Sequence, residues 1–114
     1  MATFNASVYL PPSLPLPQGV FRLHYSVHAK ERILDNKYGR LSVPGELDTS
    51  KAKMVEVELD NKGICKIVYR IPMDDYFDLC LAIIPKDVFF VKTVWANRWN
   101  DNHSTIKKIA YAKL

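Results

Sequence analysis

Hydrophobic and polar residues follow two different periods along the chain. Between residues 27 and 38 the apolar positions recur every three or four residues, which predicts a helix over residues 27–38. Ser26 supplies a hydroxyl that can cap the first turn, and Gly39 suits the left-handed conformation that commonly ends a helix. Residues 20–25 are predicted to lead into the helix as a short extended segment, and residues 40–53 to follow it as a loop.

From Met54 onward the pattern changes to the period of two that is typical of strands. Turn residues separate the apolar stretches, and they predict four strands at residues 54–59, 64–71, 77–84 and 88–95. The third strand is apolar on both faces and is expected to lie centrally. Because the connections are short, we expect a four-stranded antiparallel meander with the helix packed on one face, which is an α+β fold.

The first 19 residues differ from the rest in their proline content. Four prolines lie between Pro11 and Pro17, where they exclude a helix and disfavour a central strand. We therefore expect a proline-rich extended arm over residues 1–19 that lies on the surface of a single α+β domain over residues 20–114. The alternative is a polyproline ligand for a partner. The 114 residues suffice for one core and are too few for two ordinary domains.

Composition adds modest constraints on the function. A net charge of +4 permits an anionic partner without demanding one. Cys65 and Cys80 lie in apolar stretches and are expected to be buried thiols, and no ligand spacing among the histidines indicates a metal, so neither a metal nor another cofactor is expected. No apolar run is long enough to span a membrane and no signal-peptide pattern opens the chain, which predicts a cytoplasmic protein without a membrane partner.

His28 and Arg32 are the first candidates for chemistry. They lie four residues apart on the predicted helix, so their side chains share one face. One interpretation is a solvated surface on which Arg32 pairs with Glu31 or Asp35. The other is that His28 exchanges protons with a substrate while Arg32 binds a phosphate.

Residues 92–105 form a second cluster with candidate chemistry. Aromatic rings can stack on unpaired bases, amides can read base edges and cations can bind phosphate, while His103 offers a second imidazole for catalysis. The candidate RNA-binding residues are Asn97, Arg98, Trp99, Thr105, Lys107 and Lys108. The alternative places Trp95 in the core and makes residues 97–102 a polar turn followed by a local hydrogen-bonded cap.

The segment Phe21-Arg22-Leu23-His24-Tyr25-Ser26-Val27-His28-Ala29-Lys30-Glu31-Arg32 resembles the sequence around the helix histidine of the sequence-specific endoribonuclease of T-even phages. Its Ser-x-His-Ala-x-x-Arg pattern is also similar to the opening of toxin-like domains in the RelE and barnase-like ribonuclease superfamily. The carboxyl-terminal segment KTVWANRWNDNHSTIKKIAY resembles the ending of small phage proteins of this kind.

The resemblance implies a helix followed by a four-stranded antiparallel sheet, with His28 as the catalytic histidine and Arg32 as its neighbouring cation. The phage enzyme has another catalytic histidine soon after its helix, whereas residues 33–53 contain none. His103 would then have to supply the second role from a different element.

Three hypotheses about function follow. The leading one is a phage- or toxin-type, metal-independent endoribonuclease that cleaves single-stranded RNA such as mRNA by transesterification. The first alternative is a non-catalytic phage protein of the same fold that binds and inhibits a host protein or RNA. The second is an assembly protein that grips a neighbour through its proline-rich arm. The sequence does not indicate an oligomeric state.

Overall fold

The structure, a computed structural model, describes residues 2–5, 16–35 and 39–100. Seven strands and one α-helix follow one another in these ranges. They are β1 (Ala2–Asn5), β2 (Val20–Tyr25), α1 (Val27–Leu34), β3 (Glu46–Asp48), β4 (Lys53–Asp60), β5 (Gly63–Pro72), β6 (Phe77–Ile84) and β7 (Phe89–Arg98). A short 3-10 turn over Thr49–Lys51 connects β3 to β4.

The sheet is mixed, and six of its strands lie in the order β1-β4-β5-β6-β7-β2. Strands β4 to β7 form the predicted antiparallel meander, and β6 lies between β5 and β7 as expected for a strand that is apolar on both faces. The α+β class is therefore confirmed. The predicted sheet of four strands has too few strands, because β1 pairs antiparallel with β4 and β2 pairs parallel with β7.

Residues 40–53 are not wholly a loop. Glu46–Asp48 form β3, which pairs antiparallel with β2, because Leu47 inserts into the core with only 2% of its surface exposed. A strand with a single buried residue is too short to produce a recognisable period of two. The Asp48 side chain then accepts a hydrogen bond from the Ser50 backbone amide and caps the 3-10 turn.

The extended arm predicted over residues 1–19 is not confirmed. Ala2–Asn5 belong to the sheet, with Ala2 opposite Leu59 and Asn5 opposite Glu56. Residues 6–15, which hold three of the four prolines between Pro11 and Pro17, lie outside the described residues. The predicted boundary between arm and domain therefore stays a prediction.

Helix α1 begins where the sequence predicts and ends four residues early, at Leu34. Ser26 caps it by accepting a hydrogen bond from the Ala29 amide at 3.0 Å. Gly39 has the expected positive φ of 89°, but it lies beyond the helix end. The chain leaves the helix early because Leu41 packs into the core, where its amide donates to the Ile33 carbonyl at 2.9 Å.

The main core lies between α1, residues 41–47 and one face of the sheet. Ala29 is fully buried there, and the rings of Phe21 and Phe89 stack with their centroids 4.1 Å apart. The burial of this apolar face is the main driving force for folding. Its buried members are Leu23, Ala29, Leu41, Leu47, Val57, Ile67, Tyr69, Leu79, Leu81, Ile83, Phe89, Val91, Val94 and Ala96.

A smaller cluster occupies the opposite face of the sheet. It comprises Val55, Val68, Cys80 and Ala82, and Trp95 packs against it, in agreement with the core position considered for Trp95. Cys80 is completely buried, as predicted, whereas Cys65 is only half-buried, and its thiol donates to the Glu58 carbonyl at 3.3 Å. Both thiols are free.

Candidate functional site

Helix α1 presents His28 and Arg32 to solvent on one side. Ala29 and Ile33 pack inward, so the residues that precede them in the helix face outward. His28 and Arg32 are exposed, and they line the same open cleft of about 520 Å³. The other lining residues are Glu31, Leu34 and Asp35. The structure therefore brings together the two residues of the predicted helical pair.

The guanidinium of Arg32 is not engaged by the neighbouring carboxylates. The ion pairs among residues 16–35 and 39–100 involve Lys66 with Glu56 and Glu58, and Arg70 with Asp78. Within these ranges Arg32 makes no ion pair, so its pairing with Glu31 or Asp35 is not formed. Its position in the last turn of α1 also lets it offset the negative end of the helix dipole.

Ser26 fixes the start of α1 on the sheet. Its backbone amide donates to the Val91 carbonyl at 3.0 Å, and its hydroxyl donates to the Lys92 carbonyl at 2.8 Å. The same hydroxyl accepts the capping bond from Ala29. Because Ser26 bonds both the helix and β7, it sets where His28 lies, two residues further on.

The second predicted cluster is described only in part. Arg98 ends β7 with an exposed side chain, and Trp99 follows it with 63% of its surface exposed. Asn97 is half-buried, and its amide nitrogen donates to the Cys80 sulfur at 3.7 Å. His103, Thr105, Lys107 and Lys108 lie outside the described residues, so the predicted pairing of His28 with His103 stays a prediction.

Arg70 forms hydrogen bonds with the backbone at the end of β7. Its Nε donates to Asp78 Oδ2 at 2.7 Å, and its Nη2 donates to the Arg98 carbonyl at 2.8 Å and to the Trp99 carbonyl at 3.5 Å. With 8% of its surface exposed, Arg70 is one of the two buried charged residues in the described ranges.

Tyr76 is an exposed residue that the sequence pattern does not identify as part of a site. It lies in the turn between β5 and β6, exposes 71% of its surface and accepts a hydrogen bond from the Trp99 amide through its carbonyl oxygen. The acidic neighbour Asp74 is not a free charge in this turn, because its Oδ1 accepts hydrogen bonds from the Tyr76 and Phe77 amides at 2.8 Å.

Another concave surface lies at the end of the sheet opposite Tyr76 and Trp99. His24 is exposed and its ring stacks on Phe90 with centroids 5.8 Å apart. Lys86, Asp87 and Val88 complete the lining of this depression. His24 therefore lines a different surface from His28, and its ring contacts Phe90.

The chain matches no protein-family model, and the searches of curated proteins and of solved structures found no match either. The resemblance to the RelE and barnase-like ribonucleases is therefore still a prediction. Among the described residues, no helix is long and apolar enough to cross a membrane. In the same residues, no three His, Cys, Asp or Glu side chains come together as metal ligands.

Proposed function

We propose that the protein is a small metal-independent endoribonuclease that cleaves single-stranded RNA. The observation that supports this proposal is the cleft of α1, in which an exposed imidazole and a guanidinium without an ionic partner among the described residues line the same space. These two groups supply two functions that cleavage of RNA requires, namely proton transfer and binding of the phosphate.

The reaction is an internal transesterification. The ribose 2′-hydroxyl loses its proton to a base and attacks the adjacent phosphorus, while the bond from phosphorus to the 5′-oxygen breaks. An acid then donates a proton to the departing 5′-oxygen, which leaves a 2′,3′-cyclic phosphate on one fragment and a 5′-hydroxyl on the other. Arg32 stabilises the negative charge that accumulates on the phosphate oxygens.

His28 performs one of the two proton transfers, because imidazole both accepts and donates protons near neutral pH. Two residues are candidates for the other transfer. The sequence pattern favours His103, and the cleft adds Glu31, whose exposed carboxylate lines the same space as His28. A carboxylate can act as the general base toward the 2′-hydroxyl while His28 acts as the acid.

The test is cleavage of an end-labelled single-stranded RNA by the purified protein in the presence of a chelator. We expect cleavage, with 2′,3′-cyclic phosphate ends identified by mass spectrometry. His28→Ala should lower the rate by about 100-fold or more, and Arg32→Ala by about 100-fold. His24→Ala and Arg22→Ala are matched controls, since both residues are exposed outside the cleft, and both variants should cleave normally.

Absence of cleavage by the native protein would refute the proposal, as would full activity of the His28→Ala variant. A second candidate function then gains support from the exposed Tyr76 and Trp99, because large exposed aromatic residues are common in binding surfaces. That candidate is a non-catalytic protein that binds and inhibits a host protein or RNA. Action in a host cytoplasm and preference for mRNA are further parts of the proposal that the resemblance implies.

A further inference from the structure

Two of the most exposed aromatic side chains in the described ranges are neighbours at one end of the sheet. Tyr76 exposes 71% of its surface and Trp99 exposes 63%. The Trp99 amide donates to the Tyr76 carbonyl at 3.0 Å, so the two backbones are in direct contact. Exposure of two large rings costs hydrophobic free energy, which a ligand that covers them would recover.

The backbone that carries these rings is firmly held. On the Tyr76 side, Asp74 accepts hydrogen bonds from two successive amides of the turn. On the Trp99 side, the buried guanidinium of Arg70 donates to the carbonyls of Arg98 and Trp99. The aromatic pair is therefore largely in place before a ligand binds, which lowers the entropic cost of binding.

The space between the two segments has the chemistry of a nucleotide site. A depression of about 380 Å³ is lined by Tyr76, Phe77, Arg98, Trp99 and Asn100. Among the described residues, the lining thus combines three aromatic residues with one cation and one amide, and none of these five is an aliphatic residue or a carboxylate. Aromatic rings stack on bases, guanidinium groups bind phosphate, and amides hydrogen-bond base edges.

Within residues 16–35 and 39–100, the carboxylates near the depression oppose this assignment only weakly. Asp74 is bonded to backbone amides, and Asp78 is paired with Arg70 at 2.7 Å. Asp75 lies exposed in the same turn, outside the lining of the depression. In the described ranges, the exposed guanidinium of Arg98 has no ionic partner.

We propose that Tyr76, Arg98 and Trp99 form a binding site for one or two unpaired nucleotides of single-stranded RNA, distinct from the cleft of α1. The choice of RNA rests on the proposed function, but binding here requires neither His28 nor cleavage. We favour a nucleotide over a protein because a depression of about 380 Å³ has the size of a small-ligand site, whereas a specific protein interface buries about 800 Å² on each side.

The test uses a fluorescently labelled, fully 2′-O-methylated single-stranded RNA of about 12 nucleotides. This probe keeps the bases and phosphates but lacks the 2′-hydroxyl nucleophile, so its binding is measured by anisotropy without cleavage. Trp99→Ala and Tyr76→Ala should each weaken binding about ten-fold, because the loss of one base-stacking contact weakens binding by roughly 5- to 150-fold. Trp99→Phe and Tyr76→Phe should retain most of the affinity, which shows that the ring itself is required.

Matched controls come from exposed apolar residues elsewhere. Val20 and Val27 expose 61% and 74% of their surfaces and line neither the cleft of α1 nor this depression, so Val20→Ala and Val27→Ala should bind like the native protein. A double-stranded probe of the same length should bind at least ten-fold more weakly, because its bases are already stacked. Equal affinity for the duplex would overturn the inference, as would unchanged affinity of both alanine variants.

The outcomes separate this inference from the proposed function. Binding that depends on Trp99, together with no cleavage of ordinary RNA, would support the site and refute the ribonuclease. Cleavage that depends on His28, with no measurable binding of the methylated probe, would support the ribonuclease and refute the site. Retention of probe binding by His28→Ala is expected if the two sites are distinct.

Discussion

Arg70 and Asp78, on adjacent strands, form an ion pair in which Arg70 Nε lies 2.7 Å from Asp78 Oδ2 and the two side chains expose only 8% and 20% of their surfaces. The Nη2 of the same guanidinium donates a hydrogen bond to the carbonyl of Arg98, the last residue of β7. One guanidinium thus joins three segments, β5, β6 and the end of β7.

Replacement of Arg70 by Ala should destabilise the fold by about 3 kcal/mol, because it leaves Asp78 and the Arg98 carbonyl without their partner in a poorly solvated position. Urea denaturation followed by circular dichroism measures this difference. Arg22→Ala is the control, since Arg22 is exposed on β2 and its loss should change the stability by less than about 0.5 kcal/mol. Equal stability of the two variants would contradict the assigned role of Arg70.

Replacement of Ser26 by Ala should cost about 1 to 2 kcal/mol, because the hydroxyl both caps α1 and bonds the Lys92 carbonyl. Ser26→Thr keeps the hydroxyl and should recover most of the lost stability. Thermal and urea unfolding of the three proteins provide the comparison. A Ser26→Ala variant as stable as the native protein would show that the capping bond is not formed in solution.

The two thiols should differ in reactivity. Burial raises the pKa of Cys80 to about 11, and its side chain is completely buried, so little thiolate is present and reagents cannot reach it. Cys65 is half-buried and should be alkylated first by iodoacetamide at pH 8. Mass spectrometry of peptides from the native protein gives the order, and modification of Cys80 before Cys65 in the folded state would contradict this prediction.

Alkaline pH should destabilise the protein through its buried phenols. Burial raises the pKa of Tyr25 and of Tyr69 from 10.0 to about 12 in the folded state. The unfolded chain therefore releases these protons first, and stability falls as the pH rises from about 10 towards 12. Urea titrations at successive pH values measure the slope, and Tyr25→Phe should reduce it.

The Phe variant also removes the hydrogen bond from Tyr25 to the Pro44 carbonyl, so its stability at neutral pH should fall by about 1 kcal/mol. The test of the phenol itself is the slope of stability against pH and not its value at neutrality. A slope unchanged in Tyr25→Phe would assign the alkaline loss to other groups.

The second proton-transfer group of the proposed reaction can be identified by two variants. If the cleft of α1 is complete in itself, Glu31→Gln should lower the cleavage rate about 100-fold and His103→Gln should leave it unchanged. The reverse result would assign the role to His103. The pH dependence of the rate gives an independent check, because loss of the base removes the corresponding limb of the profile.

Much of the fold follows from local pattern. Alternation of Val55, Val57 and Leu59 with Glu56 and Glu58 predicts β4, and a stretch that is apolar on both faces predicts the central strand β6. Each predicted strand of the meander lies within three residues of the observed one at both ends. Ser26 likewise predicts the start of α1, because capping is decided within one helical turn.

The pairing of β1 and β2 with the meander could not be predicted in the same way, because each partner strand is distant in the sequence. β1 pairs with β4 across more than fifty residues, and β2 pairs with β7 across a similar distance in parallel. Neither pairing changes the pattern of apolar and polar residues within a window of ten residues. The same distinction applies to the two sites. The shared helix face of His28 and Arg32 can be predicted from local spacing, whereas the contact between Tyr76 and Trp99 depends on the register of β6 and β7.

The bond between Ser26 and the Lys92 carbonyl also has a consequence for biosynthesis. Ser26 leaves the ribosome well before its partner, which lies 66 residues further along the chain. Helix α1 lacks its hydrogen-bonding partners on β7 until that strand is synthesised. In an unfinished chain, His28 and Arg32 therefore lie on a helix whose position relative to the sheet is not fixed. Contacts of this sequence separation form late in folding. A nascent fragment that stops before β7 should therefore lack a fixed position for the cleft of α1, which is set only once residues 89–98 have been synthesised.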